Sequence, residues 1–195
     1  MEKLIYEEPT LERKEDAIDF INEFNLYNSG IHGVGGLDRY LDKYEDWLIK
    51  LEQDKKQVPS EERVPARTFF LVRESDNKIV GMVNIRLTLN DYLKRTGGHI
   101  GYCIRPTERR KGYNKINLFL ALLECQKYGI KEVLLDCDKI NLGSSKTMQA
   151  LGGILISEYY EDGLLEQKYS IDVVKAIEKY GNLYEDKIDN KKVKI

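Results

Sequence analysis

The sequence predicts an α/β (α+β) domain: a mixed central sheet of about six to seven strands with a parallel central pair, flanked by helices. Three observations carry this. Residues 98–137 read as strand, basic loop, apolar helix and strand, and a crossover of that kind returns the second strand parallel to the first. Residues 68–89 and 154–171 each read as two strands about a short polar turn, Ser75-Asp76-Asn77-Lys78 in one and Glu161-Asp162-Gly163 in the other. Two amphipathic helices precede the first hairpin. A chain of 195 residues holds one well-buried domain and is too short for two ordinary ones.

In order, residues 4–6 form a short first strand. Thr10 follows Pro9 and suits a helix cap, after which Ala17, Ile18, Phe20, Ile21 and Phe24 give one apolar face at helical spacing. Residues 29–36 hold four glycines and His32, a loop that matches neither a P-loop nor a dinucleotide fingerprint. Leu37, Tyr40, Leu41, Tyr44, Trp47, Leu48 and Leu51 predict a second helix with an aromatic face, and residues 52–65 a polar loop. Strands follow at 68–73 and 79–89, then a connection over 90–97 and the central strand, in which Ile100, Tyr102 and Ile104 alternate with Gly101 and Cys103. Pro106 stops it, having no N–H for a ladder. The helix from Tyr113 is apolar on nearly all sides, so it is expected to be buried, with Gly129 ending it. Residues 132–137 form a buried strand, and 141–151 a short helix closed by Gly152-Gly153. After the second hairpin the domain is expected to end at residue 172. Residues 173–195 form a charged extension with one short helix through Tyr180 and a frayed end from 187.

Composition narrows the function. No apolar run reaches the ~20 residues of a membrane span, and the N-terminal stretch is acidic rather than a signal sequence. Cys103, Cys125 and Cys137 are widely spaced and form no CxxC pair, which predicts reduced thiols and a cytoplasmic protein. With His32 and His99 the only histidines, no metal site is expected. The net charge of −2 covers an asymmetry: residues 1–62 carry 16 acidic and 8 basic side chains, residues 63–135 carry 14 basic and 6 acidic. That pattern suggests two ligands of opposite sign and argues against a nucleic-acid partner.

The stretch that points to chemistry is the loop Arg109-Arg110-Lys111-Gly112 ahead of the helix at Tyr113. A helix N-terminus presents unpaired N–H groups and about half a positive charge, and cations ahead of it deepen its attraction for phosphate. Gly112 lets the backbone approach a ligand closely. The loop is either a pyrophosphate cradle or a solvated basic turn.

Four segments in this order resemble the GNAT superfamily of acetyl-CoA-dependent N-acetyltransferases, and within it a group of bacterial acetyltransferases of undefined substrate. They are Gly97-Gly98-His99-Ile100-Gly101-Tyr102, the run Arg-Pro-Thr-Glu-Arg-Arg-Lys-Gly-Tyr from Arg105, Cys137-Asp138-Lys139-Ile140-Asn141, and the segment from Asn141 to Gly153. The resemblance implies acetyl-CoA as co-substrate and a small-molecule or peptide amine as acceptor, with a homodimer as a further expectation. It also implies a splayed central pair with the pantetheine arm between the strands, its amides bonded to backbone near Tyr102 and Ile104. The family's pyrophosphate loop, Gln/Arg-x-x-Gly-x-Gly/Ala, falls on Arg109, Gly112 and Asn114, and Asn114 departs from the small residue usual there. Arg110, Lys111 and Tyr113 complete the cradle. Asn141 matches a pantetheine contact, or caps its helix, and Ser144 and Lys146 lie on that side.

Acetyl transfer needs a deprotonated amine, a stabilised oxyanion and a proton for the leaving thiolate. A backbone N–H near Ile104 is the expected oxyanion donor. His99 is the expected base, or else a hydrogen-bonded structural histidine, and it falls on the opposite face from Tyr102 and Ile104 if the strand alternates strictly. The family's usual tyrosine acid, seven residues after the Asn, is here Met148, leaving Tyr102, Tyr159 and Tyr160 as substitutes. Asn84, Arg86 and His32 are assigned to the acceptor side, with Asn84 and Arg86 otherwise merely covering the sheet. The alternatives are a catalytically silent acyl-CoA-binding domain acting as sensor or scaffold, and an unrelated nucleotide-binding αβ domain.

Overall fold

The computed structural model describes residues 2–188; the end expected to fray lies mostly outside them. The strands are β1 (Leu4–Glu7), β2 (Ala66–Arg73), β3 (Lys78–Arg86), β4 (Ile100–Ile104), β5 (Glu132–Asp138), β6 (Ile154–Glu161) and β7 (Leu164–Asp172). The helices are α1 (Lys14–Leu26), α2 (Tyr44–Lys55), α3 (Asp91–Arg95), α4 (Tyr113–Lys127), α5 (Leu142–Ala150) and α6 (Val173–Tyr184). None of the described helices is long and apolar enough to cross a membrane.

The strands form two antiparallel sheets rather than one mixed sheet: β1-β2-β3-β4 and β5-β7-β6. Alternation along β2, β3 and β4 explains the layering. Phe69, Leu71, Val83, Ile85, Ile100 and Ile104 face a core shared with α4. Phe70, Val72, Met82 and Cys103 face a second core closed by α1 and α2 around Trp47 and Tyr44. Helix α4 lies buried between the sheets, because Val133, Leu135, Cys137, Tyr169 and Ile171 of the second sheet pack on the same cluster. Each large side chain buried there contributes about 1.5–3 kcal/mol. The buried Asn117 of α4 is satisfied: the Tyr6 hydroxyl donates to its Oδ1 at 2.7 Å and its own Nδ2 donates to Met82 O at 3.2 Å.

Three expectations change. The helix predicted from Leu37 is a 3-10 turn (Leu37–Arg39), then a reversal at residues 40–43, then α2, which runs on to Lys55. Leu37 and Tyr44 are both fully buried, so the apolar spacing is met without a continuous helix. The connection over 90–97 contains α3, whose first turn is capped by the Asn90 side chain accepting from Leu93 N–H at 2.9 Å. The third is the boundary at 172. Asp172 caps α6 by accepting from Lys175 N–H at 3.0 Å, and Tyr184 stacks on Phe119 of α4 at 4.8 Å. Val173, Ala176, Tyr184 and Ile188 are buried, and Leu4 forms a bridge with Ile188. Residues 173–188 therefore belong to the same core as the rest.

Candidate active site

The site is built where β4 and β5 separate. No ladder joins them, as a splayed pair requires, and the isolated bridge between them, Gly98–Leu135, comes from the turn before β4. Gly97 and Gly98 both have positive φ, and a Cβ on Gly98 would stand 2.2 Å from Leu134 O, so only glycine fits this joint. His99 N–H donates to Leu134 O at 2.7 Å and His99 Nδ1 accepts from Leu134 N–H at 3.0 Å. Beyond the joint, β4 leads to α4 and β5 to α5. The heads of these helices touch again where Asn114 Nδ2 donates to Thr147 Oγ1 at 3.3 Å.

One edge of β4 is open towards this fork. Arg105 N–H donates to Val80 O, and Arg86 N–H donates to His99 O. In an antiparallel ladder bonded residues alternate, so the odd positions of β4 bond β3 while Tyr102 and Ile104 turn their backbone groups the other way. The Ile104 carbonyl takes up Arg109 Nε at 3.2 Å. The Tyr102 hydroxyl bridges the fork to Ser144 Oγ at 2.8 Å, and burial raises its pKa, keeping the phenol protonated.

The loop after β4 arrives at α4 with Gly112 in the left-handed region (φ 83°) and no side chain capping the first turn. A Cβ on Gly112 would meet nothing within 4 Å, so there is space above the first-turn N–H groups. The three cations are placed differently. Arg110 is exposed, with a positive φ of its own. Lys111 pairs with Glu108 at 2.7 Å. Arg109 bends back to Ser29 Oγ at 2.7 Å and lies over Phe24. Glu108 anchors the loop: burial alone would raise its pKa, yet Lys111, Arg73 and Lys78 hold it down at about 2. Tyr113 contributes its hydroxyl to the same network, on Glu2 and Arg73. These features fit a pyrophosphate group. The Asn114 side chain does not crowd the loop, since its amide turns to Thr147.

Asn141 caps α5, its Oδ1 accepting from Ser144 N–H at 3.1 Å. Ser144 is buried beside Tyr102, while Lys146 is exposed on α5. Met148 is fully buried in the core and takes no polar role.

Three expected roles are corrected. His99 has its Nδ1 lone pair on Leu134 N–H, so the neutral ring carries its proton on Nε2 and has no lone pair left to accept another. Burial and the neighbouring Arg86 push its pKa down to about 4. It is a joint, not a base. Arg86 donates to Gly97 O at 3.2 Å and Gly98 O at 2.8 Å, fastening the same turn, and burial lowers its pKa. Asn84 donates to Thr68 Oγ1 at 3.0 Å, within sheet β1-β2-β3-β4. His32, in contrast, is exposed on the loop that lies across β4, where Gly33 packs so closely on Gly101 that a Cβ would stand 2.1 Å from its carbonyl oxygen.

The charge asymmetry is partly internal. Asp19 and Glu23 hold Arg105 at 2.8 and 3.0 Å, and Glu8 holds Arg67 and Lys55. Acidic side chains of the front third thus neutralise basic ones of the middle, rather than all facing a ligand.

A strand fork beside an uncapped helix head defines an acetyltransferase-type fold, and the sequence agrees: the model of the GNAT acetyltransferase family matches residues 36–152. The chain belongs to that family. Among solved structures it is similar to mutant forms of the spermidine/spermine N-acetyltransferase SpeG from Vibrio cholerae, with 16% identity, a TM-score of 0.65, and coverage of 91% of this chain and 98% of that one. It is also similar to the microcin C7 self-immunity acetyltransferase MccE in complex with acetyl-CoA and AMP, with 19% identity, a TM-score of 0.61, and coverage of 87% and 92%. No curated protein matches the chain.

Proposed function

We propose that the protein transfers an acetyl group from acetyl-CoA to a primary amine by direct attack in a ternary complex. The observation that carries this reading is the open edge of β4 at Tyr102 and Ile104, next to an uncapped α4 N-terminus with clear space over Gly112. Backbone N–H groups of Gly112, Tyr113 and Asn114, with Arg110 and Lys111 beside them, would hold the pyrophosphate. Arg109 shapes the loop from below. The free backbone groups of Tyr102 would pair with a pantetheine amide, Arg109 already holding the Ile104 carbonyl, with Asn141, Ser144 and Lys146 on the opposite wall. Acetyl-CoA supplies an acetyl group already activated as a thioester.

The chain's own residues then have three tasks. The Ile104 N–H is the proposed oxyanion donor, since β3 does not use it. Tyr102, kept protonated by burial, is the proposed donor to the leaving thiolate. The third task is to admit an acceptor amine that has already lost its proton, because His99 is committed to Leu134. Direct attack is favoured over an acyl-cysteine route by the state of the thiols: burial pushes Cys137 up to about 11 and Cys103 up to about 12, so neither offers a thiolate at neutral pH.

The silent acyl-CoA-binding reading draws on one observation, the lack of a free base at the fork. Release of free thiol from acetyl-CoA with a panel of primary amines separates the two. Amine-dependent release supports the transferase, and tight binding without release across the panel supports the sensor.

A further inference from the structure

A cavity of about 440 Å³ opens on the face of the β5-β7-β6 sheet turned away from α4. Tyr92, Arg95 and Thr96 wall it on one side, and Tyr159 and Glu161 on the other. Lys168 also lines it, with its Nζ 2.8 Å from both oxygens of Asp136, and their side chains are only 8% and 6% exposed. Burial of that kind requires the pair to neutralise itself. The Tyr159 hydroxyl donates to Asp136 Oδ2 at 2.6 Å, and the same oxygen accepts Gly97 N–H at 2.7 Å. Through Asp136 the cavity therefore abuts the joint at which β4 and β5 part.

With Lys168 and Asp136 cancelled, two charges remain in the lining, Arg95 and Glu161. Among the described residues neither side chain has a hydrogen bond or ion pair, and they do not pair with each other. The Glu161 end is the more negative, since Glu166 stands near it: burial first, and then carboxylates that include Asp138 and Glu161, raise the pKa of Glu166. The two tyrosine rings give the cavity flat apolar walls. A purely anionic ligand would leave Glu161 opposed, and a simple amine would leave Arg95 without a counter-charge.

We propose that this cavity is the acceptor pocket and that it takes an amphoteric amine, an α-amino acid or small peptide-like molecule with an apolar or aromatic body, its carboxylate on Arg95 and its amine on the Glu161 side. The fate of the ligand rests on the acetyltransferase reading, but its binding does not.

The test is calorimetric titration of the whole protein with L-phenylalanine, phenethylamine and 3-phenylpropionate, which share a body and differ in charge. L-Phenylalanine is expected to bind at least about tenfold more tightly than either of the others. Arg95→Gln should abolish the preference over phenethylamine, and Glu161→Gln the preference over 3-phenylpropionate, with melting temperatures unchanged. Equal binding of the three probes overturns the proposal, as does no binding of any of them by a protein that still binds acetyl-CoA. If L-phenylalanine is preferred but acetyl-CoA does not bind, the pocket stands and the transferase reading fails.

Discussion

His99 and Leu134 bond each other twice: the His99 N–H donates to Leu134 O at 2.7 Å, and the Leu134 N–H donates to His99 Nδ1 at 3.0 Å. One side chain thus supplies the acceptor that a parallel ladder would have provided, and it does so where the two sheets meet. The opening of the fork beyond this point depends on the joint staying closed.

Protonation of His99 must break the joint. Its pKa in the folded chain lies near 4, against an ordinary 6.5, so the unfolded chain binds the proton more readily. The contribution of His99 to stability is therefore expected to fall as pH drops from about 6.5 towards 4 and to level off below that, where the depressed carboxyl of Glu108 takes over the loss. Urea melts across this range on the parent and on His99→Gln test it. The variant should lack this part of the slope and lose about 1–3 kcal/mol at pH 7.5, the cost of leaving a buried donor poorly satisfied.

Two glycines should answer differently to alanine. Gly98→Ala places a methyl group 2.2 Å from Leu134 O at φ +60°, and a loss of at least about 2 kcal/mol is expected. Gly112→Ala meets open space, so only the backbone penalty of about 1 kcal/mol applies. Chemical denaturation of both variants checks the difference.

Tyr102→Phe keeps the ring and removes the hydroxyl that reaches Ser144. Under the proposed role it should leave acetyl-CoA affinity within about threefold and lower kcat by about 10²-fold, the lower end of the range for a lost general acid. Binding and steady-state rates measured on one preparation give the split. Equal kcat in parent and variant would remove Tyr102 from the chemistry.

The C-terminal helix offers a stability test. Tyr184 is 7% exposed and stacks on Phe119, so Tyr184→Ala is expected to cost about 3 kcal/mol, and truncation after Tyr180 more. A truncated chain with the parental melting temperature would show that α6 is an appendage.

What was legible in the sequence was local. Pro106, the basic run and Gly112 lie within seven residues, so the strand end, the loop and the start of α4 at Tyr113 could all be read from neighbours. The roles of His99 and Arg86 could not, because they depend on the register of β4 against a strand over thirty residues away, and on a glycine pair whose left-handed backbone leaves no periodic trace. Asp136, Tyr159 and Lys168 come from three strands, β5, β6 and β7, and only the fold brings them together. Helix α6 was undervalued for a related reason: its apolar face, Val173, Ala176 and Tyr184, is interrupted by charged residues and shows its purpose only against α4.

The measurement closest to the central claim is a calorimetric titration of acetyl-CoA into the parent protein and into Gly112→Val. Valine at φ +83° disfavours the loop conformation and fills the space over the α4 N-terminus, while the packed core is untouched. The account predicts saturable one-to-one binding to the parent and a loss of at least about tenfold in the variant, with the variant still folded by circular dichroism. A parent that shows no heat of binding and no thermal stabilisation at saturating acetyl-CoA would contradict it, as would a variant that binds as tightly as the parent.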